Sequence, residues 1–269
     1  MTRRLIAIAS GKGGVGKTCL AIGLAQALAE AGRVVLLVDG DLGLANVDVQ
    51  LGLDPRLDLG DVLAGRCTAA QATITHPAGF GVLPGRSGSA ALAALEGAGL
   101  AQLVALLRGA DADDVVLDLG AGLGAAQRRL AAVADLLLVV ASEEPTSLTD
   151  AYAVLKLHRR DAPEGRAGVL VNMVAQHSQA LRVHAALDAA CRGFLGAGVP
   201  LLGAVRRDVK VPAAIRAQTP LLTRHPNCPA AEDLRTLAQA LTAEAAGSPI
   251  RAPGGRFSPA TSPGGTPPG

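Results

Sequence analysis

Nine residues near the amino terminus, Ser10-Gly11-Lys12-Gly13-Gly14-Val15-Gly16-Lys17-Thr18, constrain this chain more than any other stretch. A short apolar run, Leu5 to Ala9, precedes them, and an Ala/Leu-rich pattern with helical spacing, Leu20 to Leu28, follows. A strand, a glycine loop and a helix in that order form the setting that a phosphate-binding loop requires, and Gly11 to Thr18 reads G-x-x-x-x-G-K-T without a gap. The residue types follow from the task. Glycines let successive backbone N–H groups turn inward around phosphate oxygens, where a Cβ would collide or force a positive φ. The helix that begins near Lys17 adds the positive end of its dipole. Lys17 sets a cation beside the β- and γ-phosphates, and Thr18 offers a hydroxyl to Mg²⁺.

Composition narrows the partners. A chain of 269 residues holds one large α/β domain with a substantial core. Hydrophobic residues make up 49% of it, yet no uninterrupted apolar stretch approaches the ~20 residues of a membrane span. The net charge of +2 is too small to mark a nucleic-acid binder by itself, and with 1% aromatics there is little on which bases could stack. Cys19, Cys67, Cys191 and Cys228 are far apart and form no C-x-x-C pair, so local spacing gives no zinc or iron–sulfur site. The first strand starts within five residues of Met1, which leaves no room for a signal peptide. The expected location is the cytoplasm, and the cysteines are expected as free thiols.

Downstream, apolar runs and helical patterns alternate. Val34 to Val38, Asp114 to Asp118, Leu136 to Ala141, Gly168 to Asn172 and Leu201 to Val205 read as buried parallel strands. Helical spacing covers Leu59 to Leu63, Leu100 to Leu107, Ser178 to Leu195 and Ala230 to Ala245, and short strands with a turn are expected between Thr73 and Leu83. Thr146 or Ser147 is expected to cap a helix that runs to Arg160. Two strands end in carboxylates, at Asp39-Gly40-Asp41 and at Asp118-Leu119-Gly120-Ala121-Gly122, on the sheet edge where α/β proteins bind ligands. An apolar run closed by Asp118 has the form of a Walker B strand. The predicted fold is a doubly wound, mainly parallel sheet with helices on both faces, occupying residues 1–246. Pro, Gly and Ser dominate 247–269, and that tail is expected to be disordered. His158, His177, His184 and His225 lack metal-ligand spacing and read as surface or helix-face histidines.

Lys12 makes the loop more specific. K-G-G-x-G-K-T resembles the deviant Walker A box of the MinD/ParA ATPases. Further stretches carry the likeness: Asp39 to Asp48, Leu83-Pro84-Gly85-Arg86-Ser87-Gly88, Asp118 to Gly122, and Glu144 to Tyr152. Over about Arg4 to Leu222 the chain looks like the MinD-type ATPases of the flagellum-number (FlhG/FleN) branch.

That resemblance implies a P-loop fold, ATP and Mg²⁺ as ligands, and an ATP-dependent homodimer in which Lys12 reaches the partner's phosphates. Asp41 matches the aspartate that positions the attacking water, and with Lys12 and Lys17 it makes up the expected catalytic set. Asp39 and Asp118 match carboxylates that act on the magnesium shell or the switch region; with Thr18 they form the expected metal set. Asn172 matches the adenine-reading asparagine, and Asn172-Met173-Val174-Ala175 lacks the N-K-x-D of guanine sites. The expected nucleotide-binding set is Gly11, Lys12, Gly13, Gly14, Val15, Gly16, Lys17, Thr18, Cys19, Asn172 and Asp208.

The implied function is an ATP-hydrolysing dimerisation switch with weak intrinsic turnover, governing flagellar number or placement through a flagellar assembly or regulatory partner. Many such regulators stimulate a flagellar GTPase through the short helix of an N-terminal extension; with only Met1 to Arg4 before the first strand, that activity is left out of the expectation. Basic residues are sparse over Ala230 to Ala245, which argues against a membrane-surface helix. Two alternatives stand beside this reading. One is a partition ATPase of the ParA type, for which Arg206, Arg207, Lys210 and Arg216 would be the DNA-binding patch. The other is a nucleotide-sensing adaptor that binds a transcription factor or assembly partner.

Overall fold

The short β-branched and leucine-rich runs are hydrophobic on both sides, so each can be buried only between two layers of helices. The computed structural model, which describes residues 3–41, 43–85 and 97–245, has that arrangement. The strands are β1 (Arg4–Ala9), β2 (Val35–Gly40), β3 (Ile74–Thr75), β4 (Gly81–Leu83), β5 (Asp114–Leu119), β6 (Leu136–Ala141), β7 (Ala167–Val174) and β8 (Leu201–Arg206). The described helices begin with α1 (Lys17–Glu30), α2 (Val47–Leu51), α3 (Leu59–Leu63), α4 (Ala69–Ala72), α5 (Gly97–Gly109) and α6 (Ala125–Ala132). They continue with α7 (Pro145–Asp161), α8 (His177–Leu195), α9 (Lys210–Arg216), α10 (Leu221–Arg224) and α11 (Pro229–Ala245).

The eight strands form one sheet in the order β3-β4-β2-β5-β1-β6-β7-β8, parallel throughout except for the β3–β4 pair. The doubly wound, mainly parallel fold expected from the sequence is therefore the observed one. β1 sits between β5 and β6, where the winding reverses, and the crevice at its carboxyl end is where such sheets bind ligands.

Strand alternation sorts the core into two layers. Leu5, Ala7 and Ala9 of β1 pack with residues of α5 through α8, while Ile6 and Ile8 pack with α1 and α11. On α11, Leu234, Leu237 and Leu241 are 1%, 2% and 0% exposed, each contributing about 1.5–3 kcal/mol of burial. The approach of α1 to α11 is close enough that a Cβ on Gly23 would meet Leu234 Cδ1 at 2.5 Å. At the opposite sheet edge the buried Asp114 carboxylate accepts from Arg4 Nε at 2.7 Å and from Arg33 Nε at 2.6 Å, tying β1, β5 and the α1–β2 turn together.

Some expectations are corrected. β2 runs on to Gly40 and β5 to Leu119, so Asp39 and Asp118 lie inside paired strands. Neither Thr146 nor Ser147 caps α7, whose N-cap is Glu144 with Pro145 in the first turn. Ser147 Oγ instead accepts the N–H of Ser142 at 2.9 Å. Of the two readings given for His158, the helix face is the observed one: it lies on the buried side of α7, 3% exposed. The sequence pattern did not reveal α2, α4, α6, α9 or α10, which span four to eight residues, too few for helical periodicity to register. The expectations for 247–269 and for Leu42 and Arg86 to Gly88 fall outside the described residues.

Candidate functional site

The chain leaves β1 at Ala9, turns through the glycine loop and enters α1 at Lys17. Gly14 and Gly16 take φ values of 80° and 88°, a region a side chain would disfavour. The N-cap position of α1, Gly16, offers no side chain, so the first-turn N–H groups remain available to an anion.

Lys17 is buried, and its Nζ donates to Ser10 Oγ at 2.9 Å. Burial holds its pKa below the ordinary lysine value, while the nearby Asp118 and Asp41 carboxylates pull it back up. Asp118, 2% exposed, is driven the other way: burial raises its pKa, and Thr18, which donates to it, opposes the rise. One oxygen of Asp118 is buried with no hydrogen-bond partner.

Asp39 and Asp118 face each other as register partners on β2 and β5. Asp39 is fully buried and accepts three backbone N–H groups: Asp41 at 3.1 Å, Asn46 at 2.8 Å and Val47 at 3.0 Å. Burial pushes its pKa up to about 6 despite those donors. Both oxygens are thus engaged in shaping the loop that carries Asp41. Of the two roles implied for Asp39, its contacts suit the switch region. Asp41 Oδ1 accepts from the N–H groups of Gly43 at 3.3 Å and Leu44 at 3.0 Å. The same carboxylate rests on the Walker B loop, since a Cβ on Gly120 would stand 2.9 Å from Asp41 Oδ1.

Lys12 points away from this cluster and pairs with Glu144, with a second bond to Thr146 Oγ1 at 3.1 Å. Asn172 Nδ2 donates to Val15 O at 2.8 Å, binding the end of β7 to the loop. Beyond it lies a cavity of about 400 Å³ lined by Gly16, Cys19, Asn172, Met173, Asp208 and Ile215, among others. Burial raises the Cys19 thiol to about 11, which makes it a packing group rather than a nucleophile. Larger grooves of about 660 and 840 Å³ lie against His158 and against Arg128, and neither borders the loop.

The expected residues therefore converge, apart from Lys12, which is turned toward α7. Sequence reasoning missed Ser10 as the Lys17 anchor, Glu144 and Thr146 as Lys12 partners, and Met173 in the cavity wall. Ser10, Glu144, Thr146 and Met173 all lie in stretches the sequence had singled out, but which side chain each would meet depends on the fold.

These groups fit a nucleotide with magnesium. Free N–H groups and a buried lysine suit phosphates, and the unpartnered Asp118 oxygen beside the Thr18 hydroxyl suits a hydrated cation. Among the described residues no group of three or more His, Cys, Asp or Glu side chains is placed to hold a metal ion.

Residues 6–221 match the model of the CobQ/CobB/MinD/ParA nucleotide binding domain. The chain belongs to that family. Among CobQ/CobB/MinD/ParA proteins it is 37% identical over 239 residues to the antiactivator FleN of Pseudomonas aeruginosa, covering 88% of this chain and 85% of FleN. It is 34% identical over 175 residues to the flagellum site-determining protein YlxH of Helicobacter pylori, covering 64% of this chain and 59% of YlxH. The solved structure of the septum site-determining protein MinD complexed with Mg-ADP from Pyrococcus horikoshii superposes with a TM-score of 0.77 at 27% identity, covering 91% and 98% of the two chains. The matched domain is a nucleotide-binding one, and the Pyrococcus horikoshii structure holds Mg-ADP.

Proposed function

We propose that this chain is an ATP-driven dimerisation switch with weak intrinsic ATPase turnover that regulates flagellar number or placement. The observation that carries the reading is the convergence of Lys17, Thr18, Asp118 and Asp41 at the carboxyl ends of β1, β2 and β5. The flagellar assignment rests on the likeness to FleN and YlxH.

In this mechanism the loop N–H groups and Lys17 hold the phosphates, and Thr18 and Asp118 hold the magnesium ion and its shell. When bound there, the ion would supply positive charge to offset that of the transferred phosphoryl group. Asp39 fixes the loop, and Asp41 at its start orients the attacking water. Phosphoryl transfer is mostly positioning and electrostatics, so a carboxylate that aims water is enough to set the rate. Lys12 supplies its charge across the dimer, to the phosphates held by the second copy, and ATP is thereby what assembles the pair.

No helix of the described residues is long and apolar enough to cross a membrane. The burial of Leu234, Leu237 and Leu241 against the core counts against α11 as a membrane-surface helix. Arg206, first of the four basic residues a DNA-binding patch would need, is already paired with Asp233 at 2.9 Å and with Glu232 at 3.1 Å, which counts against the partition reading. Titration calorimetry with Mg-ATP tests the site. Lys17→Ala should weaken binding by on the order of 2–4 kcal/mol, the scale of a lost charge-assisted contact. Unchanged affinity would remove the phosphate loop from the account.

A further inference from the structure

β7 ends abnormally, and the abnormality sits in the wall of the 400 Å³ cavity. In a regular strand successive side chains point to opposite faces. Val169 and Val171 lie in one core layer and Leu170 in the other, as alternation requires. Val174 then returns to the layer of Val169 and Val171, out of phase by one residue. The pairing with β8 shows where the extra residue is: Asn172 is opposite Val205 and Val174 is opposite Arg206, so Met173 has no partner. Met173 also has φ 60°, and the one other described non-glycine residue with a positive φ is Gln218. A bulge of this kind re-aims a side chain, and backbone strain of this kind gathers at functional sites.

The effect here is specific. Asn172 and Met173 are consecutive, yet both line the same cavity. The Met173 methyl reaches the last glycine of the phosphate loop, where a Cβ on Gly16 would meet Met173 Cε at 3.4 Å and Asn172 Nδ2 at 2.6 Å. Arg207 Nε, at 3.4 Å, donates to the Met173 carbonyl. Glycine or asparagine would take this conformation at less cost. The chain holds a methionine there instead, a flexible thioether suited to the face or edge of an aromatic ring.

We propose that Met173 is a base-recognising residue of this site: the bulge turns its thioether into the cavity so that it packs on the purine of the bound nucleotide. This rests on reading the site as an ATP site and assigns the residue that makes the base matter. Asn172 reads polar edges; Met173 supplies the apolar surface.

The test compares Mg-ATP with Mg-tripolyphosphate, which offers the phosphates without a base, by calorimetry on the full chain. Met173→Ala keeps the strained backbone and removes the thioether. It should lose about threefold to tenfold in ATP affinity, the scale of a lost thioether–ring contact, with tripolyphosphate binding unchanged. Met173→Gly should show the same selective loss while melting at a higher temperature than Met173→Ala, because the strain is gone. The proposal is overturned if Met173→Ala binds ATP as the wild type does, or if it loses both ligands in equal proportion. A wild-type protein that binds neither ligand would overturn the underlying site assignment, and the proposal with it.

Discussion

Lys12, in the phosphate loop, is paired with Glu144 at the N-cap of α7 and hydrogen-bonds Thr146 two residues on. The lysine holds the Glu144 carboxylate below the usual carboxylate range. A lysine so held cannot serve a second copy until it lets go. Glu144 is 68% exposed, so solvent keeps the pair weak and the latch light. Glu144→Gln should shift the ATP-dependent monomer–dimer equilibrium toward dimer by a few-fold, on the scale of one exposed pair. Lys12→Ala should bind ATP and stay monomeric. Light scattering across a concentration series decides both, and dimerisation of Lys12→Ala at wild-type concentrations would end the role assigned to this lysine.

Gly11 is packed against α7 rather than merely flexible. A Cβ there would lie 2.6 Å from Asp150 Cβ and 2.7 Å from the Asp150 carbonyl oxygen, and a helix backbone cannot swing aside as a side-chain tip does. Gly11→Ala should therefore destabilise the fold by about 1–3 kcal/mol, the range for overpacking. Denaturant titration with an unchanged midpoint would show that loop and helix are not rigidly joined.

His158 gives a pH prediction. Burial lowers its pKa, with Asp161 and the backbone of Gly165 opposing, so the folded state keeps the ring neutral where the unfolded chain protonates it. For a group depressed in the folded state, the stability is complete above the unfolded value, about 6.5, and is lost as pH falls below it. The loss cannot exceed ~1.4 kcal/mol per pH unit for one proton. His158→Leu should accordingly narrow the stability difference between pH 7.5 and pH 5.5, measured by chemical denaturation. A difference equal to that of the wild type would mean that His158 protonates as freely when folded.

The phosphate loop was legible in the sequence because backbone chemistry there leaves few residue choices, and the strands were legible because burial on both faces demands unbroken apolar runs. Asp39 and Asp118 could be picked out as strand-end carboxylates, but their pairing across β2 and β5 depends on register, which the sequence does not carry. Thr146 and Ser147 looked like caps because hydroxyls before a helix usually are. Other donors claimed both: the distant Lys12 for Thr146, and the N–H of Ser142 across the β6–α7 turn for Ser147. Met173 was invisible because a bulge has no composition signature when the bulged residue is neither Gly nor Asn.

The decisive comparison is between Asp41→Ala and Lys17→Ala, each followed by ATP turnover and by light scattering with Mg-ATP. Asp41 contacts loop N–H groups and the Gly120 backbone, so its removal should leave nucleotide binding nearly intact. A group that acts in the transition state alone lowers kcat without lowering affinity. Turnover by Asp41→Ala should fall ~10²-fold or more, the scale of a lost water-orienting group, and the protein should accumulate as an ATP-bound dimer. Lys17→Ala should be equally inactive but remain monomeric. The account is contradicted if Asp41→Ala hydrolyses ATP at the wild-type rate, or if it loses ATP binding and dimerisation together with turnover.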